Sequence, residues 1–232
     1  MAKKINLGTI NETSLEKLSA FHVAIMELKS LRDVYKDDIE KLNAKKDALI
    51  QSRKDALASG MSVDEVAVKF DLLPIDNELR ARTQKFEEDC KPHKASKKDA
   101  LSLISENLYY AYVLSMKKGD LSARGTLTLK KGKKEEEYTV AKSFKDTIKD
   151  FLVEIGCDAS NDTALNKFAD CMKARTSGMR KCNRGEDYVT VKSLSQFNEL
   201  FMLAFLQYTI IEKGVITVND DATLSMTVYD EE

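Results

Sequence analysis

Between Asp170 and Glu186 the chain carries Lys173, Arg175, Arg180, Lys181 and Arg184 and no acid. Arginine forks and lysine ammonium groups of this kind hold phosphate, and Gly178 and Gly185 would let backbone amides approach an anion. The stretch reads as a loop between a helix and a strand, a candidate contact for an anion or a nucleic acid. Two points count against it. Lysine and arginine also gather at helix C-termini because they oppose the dipole, which accounts for Lys173 and Arg175 without a ligand. Nor are aromatic residues interleaved for base stacking.

Other chemistry is sparse. The phosphate-loop, dinucleotide, zinc-protease and hydrolase-elbow patterns are all absent. His22 and His93 are the only histidines, one in a long helical run and one beside Pro92, and neither has a nucleophile at a telling spacing. Asp37 with Asp38, Glu87 to Asp89, and Asp220 with Asp221 have the oxygen ligands magnesium takes, but their places on helix surfaces and turns make them solvent-facing charges. Cys90, Cys157, Cys171 and Cys182 lack the close pairs of a zinc knuckle and read as reduced, buried thiols. The expectation is therefore no metal, no cofactor and no enzymatic activity.

The elements that hold these residues are easier to read. From Thr13 to Ala58 there is neither proline nor glycine, and Thr13 with Glu16 forms a capping box, which predicts one unbroken helix. With Leu18 at a heptad a position, the a series is Leu18, Ile25, Arg32, Ile39, Lys46 and Arg53, and the d series is Phe21, Leu28, Tyr35, Leu42, Leu49 and Ala56. At 1.5 Å per residue such a helix is on the order of 70 Å long, more than a compact interior accommodates. Residues 59–74 form a tip: Gly60 breaks the pattern, Ser62 and Glu65 cap a short helix, and Pro74 follows. Helical spacing resumes through Ile75, Leu79, Arg82 and Phe86, pauses near Pro92, and continues to Lys118.

Two matched runs around a short tip predict an antiparallel helical hairpin, a coiled-coil-like arm over 1–118, with Pro92 kinking or dividing its second helix. A parallel oligomer through the first helix is the alternative, but it would stack Arg32, Lys46 and Arg53 against their own copies. Tyr109, Tyr110 and Tyr112 are expected to pack against the second half.

Residues 119–232 read as a small α+β domain. A hairpin with strands near 125–130 and 136–141 sets lysines against glutamates across its turn. Two helices follow, the second capped near Ser160 or Asp162, then the basic loop and a short strand through Val189 and Val191. A helix capped by Ser193 and Gln196 runs apolar nearly all round to Ile211, and a final hairpin turns at 219–222. The fold class is α+β, a long helical hairpin followed by a mixed domain with β-hairpins around a buried helix.

A formal charge of −1, from 37 basic against 38 acidic residues, gives no global attraction for nucleic acid or an anionic surface. With no run of ~18–20 apolar residues and no apolar segment behind the first lysines, the chain reads as soluble, cytoplasmic and without a membrane partner. The functional expectation is a protein-interaction or assembly protein. Its contact surface is the arm, seamed by Leu18, Phe21, Ile25, Leu28, Tyr35, Ile39, Leu42 and Leu49, which meets a protein partner or a second copy. Size, abundant lysine and missing tryptophan also suit an accessory or inhibitor protein of a phage or mobile element. The alternatives are a nucleic-acid-binding protein using 173–184 and an enzyme whose site is dispersed in sequence.

Overall fold

A computed structural model describes residues 2–131, 134–184, 193–206 and 214–229. The elements are β1 (Ala2–Thr9), α1 (Glu12–Ala58), α2 (Val63–Lys69), α3 (Leu73–Ala100), a 3-10 turn (Leu101–Leu103), α4 (Glu106–Lys118), β2 (Gly125–Lys131), β3 (Lys134–Val140), α5 (Phe144–Glu154), α6 (Asp162–Arg184), α7 (Leu194–Leu206), β4 (Gly214–Val218) and β5 (Thr223–Tyr229). The fold is mixed α+β and dominated by helix. It divides into two compact units, Met1–Ala20 with Asp99–Glu232, and Phe21–Lys98. This division differs from the expected boundary after Lys118, because β1 and α4 both belong with the later strands and helices.

β1 was not anticipated. Ile5 and Leu7 alternate with Lys4 and Asn6, the two-residue period of a strand, and β1 pairs antiparallel with β5. β4 pairs with the other edge of β5, giving the antiparallel order β1-β5-β4. A register shift between Asn6 and Gly8 interrupts the ladder, which resumes with Gly8 opposite Leu224 and Thr9 opposite Thr223, and Gly8, at φ +102°, also bridges to Cys157. The separate β2–β3 hairpin runs as expected, with Lys130 opposite Glu135.

Around these strands α4, α5, α6 and α7 enclose an aromatic core. Phe144, Phe168, Phe197, Phe201 and Phe205 are fully buried. The rings of Phe201 and Phe205 both meet Phe151 edge-on, at 5.2 and 5.4 Å. Tyr109 and Tyr112 pack on Phe197, while Tyr110 stacks on Tyr138 at 4.3 Å, so the three tyrosines serve packing. Glu136 accepts the Tyr138 hydroxyl at 2.5 Å and holds its pKa above the usual tyrosine range. α7 begins at Ser193, whose hydroxyl accepts the Gln196 amide, and its buried residues surround it as the apolar run implies. Its expected extension to Ile211 and the expected strand through Val189 and Val191 lie outside the described residues.

The helix starts correct the sequence reading by two residues or fewer. Asn11, not Thr13, caps α1: its Oδ1 accepts the Ser14 amide at 2.8 Å, while its backbone N–H donates to Ile155 and its side-chain amide to Glu154. Asn161 plays the same part for α6, accepting from Ala164. At α5 the box is formed by Ser143 and Asp146. The Ser143 hydroxyl bond, with Arg124 adding to it, holds the Asp146 carboxyl below its ordinary pKa.

α3 runs through Pro92 without a break. Proline frees the carbonyl four residues earlier, at Glu88. Glu88 and Pro92 both face solvent, so that carbonyl lies on the side of α3 open to water, while Cys90 on another face is buried. The interruption expected at Pro92 falls instead at residues 101–105.

Candidate interaction surface

The unit Phe21–Lys98 is a two-helix hairpin with a capped tip. Along α1 the half-buried positions run Leu28, Leu31, Tyr35, Ile39, Leu42, Lys46, Leu49, and along α3 they recur at Leu79, Arg82, Phe86 and His93, the three-and-four spacing of a helical seam. The pairs across it fix an antiparallel direction: Tyr35 stacks on Phe86 at 4.3 Å, Asp38 accepts from Arg82 at 2.7 Å, and Asp76 accepts from Lys46 at 2.6 Å. Lys46, which interrupts the apolar a series, is thus neutralised by the returning helix. Arg32 faces solvent, and its neighbour Leu31 takes the seam position. Of the remaining seam residues, Leu18 and Phe21 are buried and Ile25 is half-buried.

Short-range devices build the tip. The Met61 amide donates to Ala56 and the Gly60 amide to Leu57, with Gly60 at φ +92°, so α1 ends in a Schellman motif. Ser62 and Glu65 then cap α2 reciprocally, and the Ser62 hydroxyl keeps the Glu65 carboxyl below its usual pKa. Asp71 accepts the Leu73 amide where α3 begins, and Pro74 occupies its first turn. Val66 and Ile75 are buried beneath.

What this unit leaves exposed sets it apart. Among the described residues, nine large hydrophobic side chains are exposed, and seven belong to the hairpin unit: Val23, Met26 and Val34 on α1, and Leu57, Val63, Val68 and Leu73 at the tip. Val63 and Val68 are 72% and 83% exposed. Val68 lines a shallow depression with Met61, between Asp64 and Glu65 on one side and Lys69 on the other. The spacing of Val23, Met26 and Val34 places them on a face of α1 outside the seam. A search for apolar residues lying off the heptad would have found them in the sequence.

The basic stretch takes a different form from the expected loop. α6 continues to Arg184, so Lys173, Arg175, Arg180, Lys181 and Arg184 are helical. A lone glycine costs a helix about 1 kcal/mol relative to alanine, and contacts with α4 outweigh Gly178. The Tyr112 and Ser177 hydroxyls meet at 2.9 Å, Ser177 also bonds the Lys173 carbonyl, and the Lys173 ammonium donates to the Ser115 carbonyl at 3.3 Å. Lys173 therefore serves the last turn of α4. The side chains of Arg175, Arg180, Lys181 and Arg184 lie outside the described residues.

The remaining candidates do not converge. His22 is exposed on α1 and His93 half-buried on α3. Asp38 is held by Arg82, and Asp221 shapes the β4–β5 turn by accepting from Thr223, whose hydroxyl bond lowers its pKa. Cys90, Cys157 and Cys171 are buried and in no disulfide, and burial pushes Cys157 up to about 11, leaving it protonated near neutral pH. Among the described residues no group of three or more His, Cys, Asp or Glu could hold a metal ion, and no helix is long and apolar enough to cross a membrane. Comparison with protein-family models, curated proteins and solved structures gave no match.

Proposed function

We propose that this is a non-enzymatic interaction or assembly protein that engages its partner through the helical hairpin, chiefly at the tip. The observation that carries the reading is the concentration of exposed large hydrophobic side chains in Phe21–Lys98. Fully burying a valine or leucine is worth about 1.5–3 kcal/mol, and exposed apolar patches mark contact sites. The tip is held by capping devices that leave Val63 and Val68 outward, a surface prepared for contact without the partner's help.

The test compares the full chain with a V63D/V68D double variant, which alters neither the capping box nor a buried group. Light scattering over a concentration series reads self-association, and retention from the native lysate reads partner binding. Whatever copy or protein the wild type holds is expected to bind the variant at least tenfold more weakly, with circular dichroism unchanged. A variant that assembles and retains partners like the wild type would sink the proposal.

Nucleic-acid contact is a second reading, favoured by the acid-free run that holds Arg175, Arg180, Lys181 and Arg184 within α6. If three phosphates are neutralised, affinity for an oligonucleotide should fall roughly 40-fold between 50 and 200 mM salt. An R180E/K181E/R184E variant should bind weakly at both. Absence of binding to any DNA or RNA at low salt removes this reading.

A further inference from the structure

Where residues 102–108 pass α5, they leave a cavity of about 230 Å³. Its apolar lining comes from Leu103, Leu108 and Phe151, and its polar lining includes Ser102, Thr147, Asp150 and Glu154. Leu108 and Phe151 belong to the buried core, so the floor is rigid.

The charge around this cavity runs against the helix that supplies it. A helix C-terminus is the negative end of its dipole and favours lysine, arginine or histidine. α5 has no basic residue in its last turn, and it carries Asp150 and Glu154 one turn apart instead. Like charges at that spacing repel. Lys142 answers Asp150 at 2.7 Å, and Lys17 is occupied with the Ser102 hydroxyl at 3.0 Å. The Glu154 carboxylate has no ion pair among the described residues. The positive end of α4 is already met by Glu106 in its first turn and by Ser105 as its cap. A sequence that breaks a local rule beside a cavity marks a site where function sets the residue.

We infer that this cavity binds an alkylammonium group, its carbon chain on Leu103, Leu108 and Phe151 and its ammonium between Glu154 and Asp150. Two sources share that chemistry, a free aliphatic amine and a lysine side chain presented by another protein. The occupant brings the positive charge that the end of α5 lacks, and the apolar floor sets the length of chain that fits. This site is independent of the hairpin, so its test neither requires nor endangers the reading of the tip.

Hexylamine, hexanol and hexanoate, titrated into the full chain near neutral pH, separate charge from apolar fit. Methyl resonances of Leu108 and Thr147 report occupancy. Hexylamine is expected to bind saturably, at least tenfold tighter than hexanol, with hexanoate not binding. Glu154→Gln, an exposed substitution expected to leave the melting temperature unchanged, should weaken hexylamine at least tenfold. A blocked glycine-lysine-glycine peptide that binds as well as hexylamine assigns the site to a protein side chain, and one that fails where hexylamine succeeds assigns it to a free amine. Failure of both amines, equal binding of hexanol, or indifference to Glu154→Gln overturns the inference.

Discussion

Replacing Phe201 with alanine is expected to destabilise the unit built on α4–α7 by about 3–5 kcal/mol, the range for truncating a buried phenylalanine. Phe201 is fully buried in α7. Its ring sits edge-on to Phe151 at 5.2 Å and 89°, with Phe197 one turn back at 5.6 Å. The loss combines transfer of the ring, a cavity that the two neighbouring rings collapse into poorly, and an edge-to-face contact worth about 0.5–1.5 kcal/mol. Domains hold only about 5–15 kcal/mol in all, so the variant should sit near the threshold of folding. Urea unfolding followed by the near-ultraviolet signal of Tyr109 and Tyr112, which pack on Phe197, should give a lower midpoint. Phe201→Leu, which keeps most of the volume, should lose less than half as much. Equal losses would mean that the volume leucine retains recovers nothing and that the ring itself carries the whole effect.

Gly156→Ala should cost about 2–5 kcal/mol, whereas Gly60→Ala, at nearly the same dihedral, should cost only about 1–2 kcal/mol. Both glycines close a helix with a Schellman motif, at φ +94° and +92°. A Cβ on Gly60 meets nothing within 4 Å. On Gly156 it would lie 2.9 Å from the Asn11 nitrogen and 3.1 Å from the Thr9 carbonyl oxygen, both backbone atoms without a rotamer to yield. The same Asn11 N–H donates to Ile155, and the Asn11 side-chain amide donates to Glu154, so relieving the clash strains the seal between the start of α1 and the end of α5. Matched urea curves for the two variants isolate packing from dihedral strain. Equal midpoints would show that the close approach at Gly156 relaxes without cost.

What could be read from the sequence follows the range of the interactions involved. The long α1, the capping box at Ser62, the β2–β3 hairpin and the buried α7 rest on neighbours within a few residues. Their spacing and caps announce them. α6 was misjudged because Lys173, Arg175 and Gly178 together imitate a helix end, while the contacts that override them come from Tyr112 and Ser115 on α4. Pro92 misled in the opposite sense, since its tolerance depends on which face of α3 meets water. β1 has legible alternation at Ile5 and Leu7, but its partner β5 lies at the far end of the chain, and pattern alone does not name a partner. The hairpin tip was located correctly as a turn. Its outward valines were passed over because a search for charge and nucleophiles has no term for apolar residues that face solvent.

The pairing of β1 with β5 also has a temporal side. β1 precedes β4 and β5 along the chain, with every helix lying between them. At roughly 5–20 residues per second, β1 waits on the order of 10–40 s for its partner. During that interval Ile5 and Leu7 lack the sheet that pairs them, while the hairpin Phe21–Lys98, a compact unit in its own right, can already form. The order of synthesis therefore favours a nascent chain with the hairpin proposed as its contact surface finished before its sheet is closed. A partner able to bind the tip would meet the protein while it is still on the ribosome.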